Sequence, residues 1–141
     1  MKQQIIILDT GPLVASINRR DTYYEWVTHQ LKSIPSPLFT CEAVITEACF
    51  LLRRRIQDVH TVLELRRRGF MNAPFHWDEQ IQTIEQLMVK YANVPMSFAD
   101  ACLVRMAELY PLSAVLTLDS DFRIYRKNGN QVIPVIMPNI H

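Results

Sequence analysis

An α/β domain with a mainly parallel sheet is the fold class this chain predicts, on three observations. Two short apolar runs, residues 5–8 and 114–118, do not alternate with polar residues, as expected of strands buried on both faces. Segments of helical periodicity with recognisable caps lie between them, the order of strands joined by crossover helices. The composition suits a packed core: 49% hydrophobic, 21% charged and only 3 Gly in 141 residues. That balance excludes a disordered tail, a collagen-like fibre and a low-complexity linker. A chain of this length buries roughly 70% of its unfolded surface and can fold without a metal or a disulfide.

Ile5 to Leu8 form the first strand, and Pro12 suits the first turn of a helix capped by Thr10 or Gly11. Thr22 and Glu25 fit a capping box that opens a helix running through Leu31. Pro35 and Pro37 mark a loop before a short strand at Leu38 and Phe39. Thr40 caps a long helix to about Arg55; another covers about Asp58 to Arg68 and stops at Gly69. Phe75 to Trp77 read as a short strand, and Asp78 caps a helix to about Tyr91. Ser97 caps the next helix, to about Leu109, and Pro111 ends it. Strands follow at residues 114–118 and 132–137, the second placed at a sheet edge by Pro134. No repeat or Gly/Ser-rich linker interrupts this order, so residues 1–141 read as one domain.

Charge and special residues exclude several function classes. Lys and Arg number 15 against 14 Asp and Glu, a net of +1, so overall charge selects neither nucleic acid nor membrane. No apolar run approaches the ~20 residues of a membrane span, and Asp9 ends the N-terminal apolar stretch too early for a signal peptide. A cytoplasmic protein is expected, with Cys41, Cys49 and Cys102 as reduced thiols rather than a zinc or disulfide pattern. His29, His60, His76 and His141 show no metal-ligand spacing. Met88, Met96, Met106 and Met137 read as core filler.

The carboxylates are more informative. Asp9 and Asp119 each follow a buried strand directly, and ligands of open parallel sheets bind outside the carboxyl ends of strands. An ordinary turn or cap would also place an Asp there. Glu47 has Ala43, Val44, Phe50 and Leu51 as helical neighbours, which puts it in a buried apolar stripe. An ion pair with one of Arg53 to Arg55 is the alternative. Asp100 faces Leu103, Val104 and Ala107, and it also completes a capping-box spacing with Ser97; the two roles are compatible. Buried carboxylates are costly unless paired or bound to a metal, and several together would take up protons. A hard divalent cation such as Mg²⁺ or Mn²⁺ relieves that cost, and such a site suits phosphodiester hydrolysis.

Four segments resemble the signatures of the PIN-domain family. They are Ile7-Leu8-Asp9-Thr10-Gly11-Pro12-Leu13, Thr46-Glu47-Ala48, Ser97-Phe98-Ala99-Asp100-Ala101 and Leu116-Thr117-Leu118-Asp119-Ser120-Asp121-Phe122. The likeness is greatest to VapC-type toxin ribonucleases of bacterial toxin–antitoxin pairs, and it spans nearly the whole chain. It implies a three-layer, Rossmann-like domain with a mainly parallel central sheet flanked by helices. It implies a catalytic set of Asp9, Glu47, Asp100 and Asp119, with Asp9, Asp100 and Asp119 holding Mg²⁺ or Mn²⁺. Asp121, Thr10 and Thr117 take supporting places, and either Asp119 or Asp121 is the closer ligand at the last position. The resemblance further implies endonucleolytic cleavage of RNA, a cognate antitoxin as partner and a homodimer.

Arg53, Arg54, Arg55, Arg66, Arg67 and Arg68 stand against Asp58 and Glu64, a local excess of four positive charges. They could contact RNA or an antitoxin, or simply be solvated helix ends. Arg123, Arg126 and Lys127 follow the last acids and could also touch phosphate. Two other readings compete with a metal nuclease. A phosphotransferase using an aspartyl nucleophile usually needs a second Asp two residues after the first, where this chain has Gly11. A non-catalytic RNA- or protein-binding module retaining the fold is the other, and the presence of all four acids counts against it.

Overall fold

The computed structural model describes residues 3–139, so His141 lies outside the described residues. Strand β1 (Ile5–Leu8) leads into helices α1 (Thr10–Ile17) and α2 (Tyr24–Ser33) and then strand β2 (Leu38–Phe39). Helices α3 (Glu42–Leu51) and α4 (Ile56–Arg67) precede strand β3 (Met71–Asn72). Helices α5 (Ile81–Lys90) and α6 (Phe98–Leu109) lead to strand β4 (Ser113–Leu116). Three short strands close the chain: β5 (Arg126–Lys127), β6 (Gln131–Val132) and β7 (Val135–Ile136).

All five strands of the main sheet are parallel, in the order β3-β2-β1-β4-β7. The chain moves outward from β1 through β2 to β3, then returns to the other side of β1 to form β4. Right-handed crossovers on the outward path place α1 to α4 over one face of the sheet, and the return places α5 and α6 over the other. The helix contacts follow this division, α1 packing with α2, α3 and α4 and α6 with α5, β1 and β4, except that α3 and α6 also meet. The reversal falls between β1 and β4, the switch point at which such sheets bind ligands. Ile7, Leu13, Val44, Leu103, Met106, Leu116, Phe122 and Tyr125 are fully buried around this pair of strands. Each such side chain contributes on the order of 2 kcal/mol by leaving water.

Several boundaries differ from expectation. Asp9, not Thr10 or Gly11, is the N-cap of α1, because its carboxylate already sits at the strand end and accepts the Thr10 N–H. The Thr22–Glu25 capping box does not form. Asp21 accepts the Tyr23 N–H instead, and α2 starts at Tyr24 with Tyr23 at the cap position. Thr40 does not cap α3; its hydroxyl donates to the Leu8 carbonyl at 2.8 Å, and Cys41 takes the cap position. The long helix expected to Arg55 ends at Leu51, and α4 begins at Ile56. The strand expected at 75–77 lies at Met71–Asn72, while Phe75 packs into the core from a loop. Asp78 falls in a short 3-10 turn, and Gln80 precedes α5. The final strand divides in two. Its first part pairs antiparallel with β5, and β7 occupies the sheet edge that Pro134 predicted. Among the described residues no helix is long and apolar enough to cross a membrane.

Candidate active site

The carboxyl ends of β1 and β4, the start of α6 and one turn of α3 enclose a cleft of about 570 Å³. Asp9 enters from β1, Asp119 and Asp121 from the turn after β4, Asp100 from α6 and Glu47 from α3. The lining holds these five acids and no basic side chain. All four acids expected in the catalytic set, and Asp121, therefore meet in one place.

Hydrogen bonds fix most of them. Asp9 Oδ1 accepts the Thr10 N–H at 2.8 Å, and Oδ2 accepts the Thr117 hydroxyl at 2.7 Å. Thr117 Oγ1 in turn accepts the Asp119 N–H at 2.9 Å, and Asp119 Oδ1 accepts the Asp121 N–H at 2.9 Å. Thr117 thus ties the ends of β1 and β4 together through their acids. Ser97 and Asp100 form the expected capping box: Ser97 Oγ accepts the Asp100 N–H at 3.0 Å, and Asp100 accepts the Ser97 N–H. Asp100 Oδ2 also accepts the Tyr125 hydroxyl at 2.8 Å. Tyr125 is fully buried and has no sequence signature, because it meets Asp100 only through the fold.

Asp9 is only 7% exposed. Burial raises its carboxyl to about 6, against the hydrogen bonds from Thr117 and Thr10, with a further upward push from Asp100 and Asp119. Burial likewise raises Asp100, which the Tyr125 hydroxyl and the Ser97 N–H partly counter. Burial and the neighbouring Asp100 keep the Tyr125 phenol protonated far above neutral pH. Asp119 adds to the upward push on both Asp9 and Asp100, and it also raises Asp121, which lines the cleft beside it.

Glu47 departs from expectation. Its side chain is exposed at the cleft's rim, not buried, because Phe50 and Leu51 on the same helix face are themselves 58% and 52% exposed. The arginine runs also separate. Arg67 and Arg68 pair with Glu64, Arg53 donates to the Phe50 carbonyl and lies over the Phe50 ring, and Arg55 approaches Asp58. Lys127 is buried, the Arg126 guanidinium donates to the carbonyls of Arg123, Ile124 and Tyr125, and Arg123 is exposed. Cys41 and Cys102 are buried thiols and Cys49 is half-buried.

The donor set fits a hard divalent cation. Five carboxylates share a cleft with no cationic side chain, one of them is nearly buried, and the buried Thr10 hydroxyl has no partner among the described residues. Among the described residues no group of three or more His, Cys, Asp or Glu side chains is drawn together closely enough to hold a metal ion without rearrangement. An open carboxylate cleft is the arrangement Mg²⁺ tolerates, because it keeps several of its own waters.

This fold has known relatives. The PIN domain matches residues 6–128, and the chain belongs to that family. Among solved structures, VapC20 from Mycobacterium tuberculosis, a sarcin–ricin loop cleaving toxin, superposes with a TM-score of 0.72 at 22% identity, covering 82% of this chain and 91% of that one. VapBC2 from Rickettsia felis, bound to a DNA fragment from its promoter, superposes with a TM-score of 0.60 at 14% identity, covering 96% of this chain and 99% of that one. At these identities both establish the shared fold. A comparison with curated proteins gives no sequence match.

Proposed function

We propose that this protein is a metal-dependent endoribonuclease and the toxin of a toxin–antitoxin pair. The observation that carries the reading is the convergence of Asp9, Glu47, Asp100 and Asp119 from four separate elements on one cation-free cleft at the sheet's switch point. The fold shared with a sarcin–ricin loop cleaving toxin supports it.

Asp9, Asp100 and Asp119 would hold Mg²⁺ or Mn²⁺. When bound, such an ion polarises the phosphoryl oxygen and lowers the pKa of its water. The remaining work belongs to the chain. Thr117 and the Thr10 N–H orient the Asp9 carboxylate, and Tyr125 with Ser97 orients Asp100. Asp121 supports Asp119 through its backbone N–H. Glu47, on the exposed rim, is placed to accept a proton from the attacking water. A homodimer and a cognate antitoxin complete the reading. The arginines at 53–55 and 66–68 are its charged contacts with RNA or antitoxin, the second run less available because of Glu64.

The test is cleavage of a structured RNA pool by purified protein with Mn²⁺, with EDTA and with Asp100→Asn. Cutting that needs the metal and disappears in the variant supports the assignment. Equal cutting by the variant would remove Asp100 from the site. Light scattering of the purified chain tests the dimer.

A further inference from the structure

A second cavity, of about 850 Å³, lies at the C-terminal ends of α1 and α3. Asn18, Arg19 and Arg20 line one side of it, and Arg54, Arg55 and Asp58 line the other. Four arginines face one acid, and that acid approaches only Arg55, at 3.9 Å. All four arginine residues are exposed, so their guanidinium groups are available to a ligand. The planar fork of donors on arginine matches phosphate oxygens in pairs.

The position of this cavity gives it a use. Helix α1 starts at Asp9 in the acidic cleft and ends at Asn18 on the basic cavity. At 1.5 Å per residue the two sites are separated by about 13 Å along the helix. Helix α3 packs against α1 and also joins the two sites, with Glu47 on the cleft and Leu51 on the cavity. Five carboxylates at one end repel a polyanion, and the excess of arginine at the other end attracts one.

We propose that this cavity binds backbone phosphates of an RNA strand whose scissile bond lies in the acidic cleft. The choice of RNA as the polyanion rests on the nuclease reading; the gathering of the four arginines does not. Arg19 and Arg20 join Arg54 and Arg55 only in the folded chain, from segments more than thirty residues apart.

The experiment measures binding of a fluorescein-labelled structured RNA by anisotropy in EDTA, from about 50 to about 300 mM KCl. Wild type is compared with Arg19→Gln/Arg20→Gln, with Arg54→Gln/Arg55→Gln and with a control at two exposed lysines outside both sites, Lys32→Gln/Lys90→Gln. Each of the first two pairs should raise Kd about tenfold or more and reduce the salt slope by roughly 1.5 to 2. The control should change both less. In Mn²⁺ the same variants should raise KM and leave kcat within about twofold. Unchanged Kd and slope in both variants, beside normal cleavage by wild type, would overturn the cavity and spare the nuclease. Absent cleavage with arginine-dependent RNA binding would do the reverse. Loss of binding to poly-glutamate without loss of RNA binding would assign the cavity to an acidic protein segment and overturn the proposal. So would a fall in melting temperature with RNA affinity intact, which would mark the arginines as helix-end counter-charges.

Discussion

Replacing Asp9 by asparagine should stabilise the metal-free protein at neutral pH while abolishing cleavage. The carboxyl stands at about 6 in the folded chain against an ordinary value of 3.8, and Asp9 is only 7% exposed. The folded state therefore binds this proton more tightly than the unfolded state. Below about pH 4 both states are protonated and the group favours the fold most. As pH rises to about 6 that advantage is lost, and above it the buried charge costs roughly 3 kcal/mol. Asparagine has no charge to bury, and its Oδ1 still accepts the Thr10 N–H. Its amide cannot accept the Thr117 hydroxyl, which costs about 1 kcal/mol. The net gain at pH 8 is about 2 kcal/mol, or about 6 °C in melting temperature for a chain of this size. At pH 4 the order should reverse, with the variant less stable by about 1 kcal/mol. Thermal unfolding of both proteins in EDTA across this range is the assay, paired with RNA cleavage in Mn²⁺. A variant less stable than wild type by the same margin at pH 4 and pH 8 would refute the reasoning, because the ionised carboxylate would then carry no burial cost.

Three further outcomes are expected. Tyr125→Phe removes the hydroxyl that holds Asp100 Oδ2 and keeps its carboxyl down, so the acidic limb of the pH profile for kcat/KM should move to higher pH; an unmoved limb would leave Tyr125 a packing residue. Ser97→Ala breaks the capping box of α6 and should cost about 1 kcal/mol, seen as a fall of about 3 °C in melting temperature. Millimolar Mn²⁺ should raise the melting temperature of wild type, by about 2.7 kcal/mol of stabilisation at a hundred times Kd, and should raise that of Asp100→Asn much less. Equal shifts in the two proteins would place the ion elsewhere.

Residue types and local order determined much of this protein. The non-alternating runs at 5–8 and 114–118 located β1 and β4, the first with its bounds and the second ending earlier, at Ser113–Leu116, because Thr117 turns its hydroxyl to Asp9. Asp9 directly after β1 and Asp119 three residues beyond the end of β4 both lie at the carboxyl edge of the sheet and line the cleft there. Pro134 located the sheet edge through its missing N–H, and Ser97 with Asp100 located the start of α6. Those signals are local, which is why they are legible in a linear chain. The tertiary structure decided the rest. Glu47 has apolar neighbours by helical spacing, yet periodicity gives a face and not what covers it; Phe50 and Leu51 remain exposed, and Glu47 with them. Tyr125 reaches Asp100 across twenty-five positions, Thr117 reaches Asp9 across 108, and Arg19 meets Arg54 only at the far ends of two packed helices. Contacts of that separation follow from how the crossovers stack the helices on the sheet, so no window of sequence contains them.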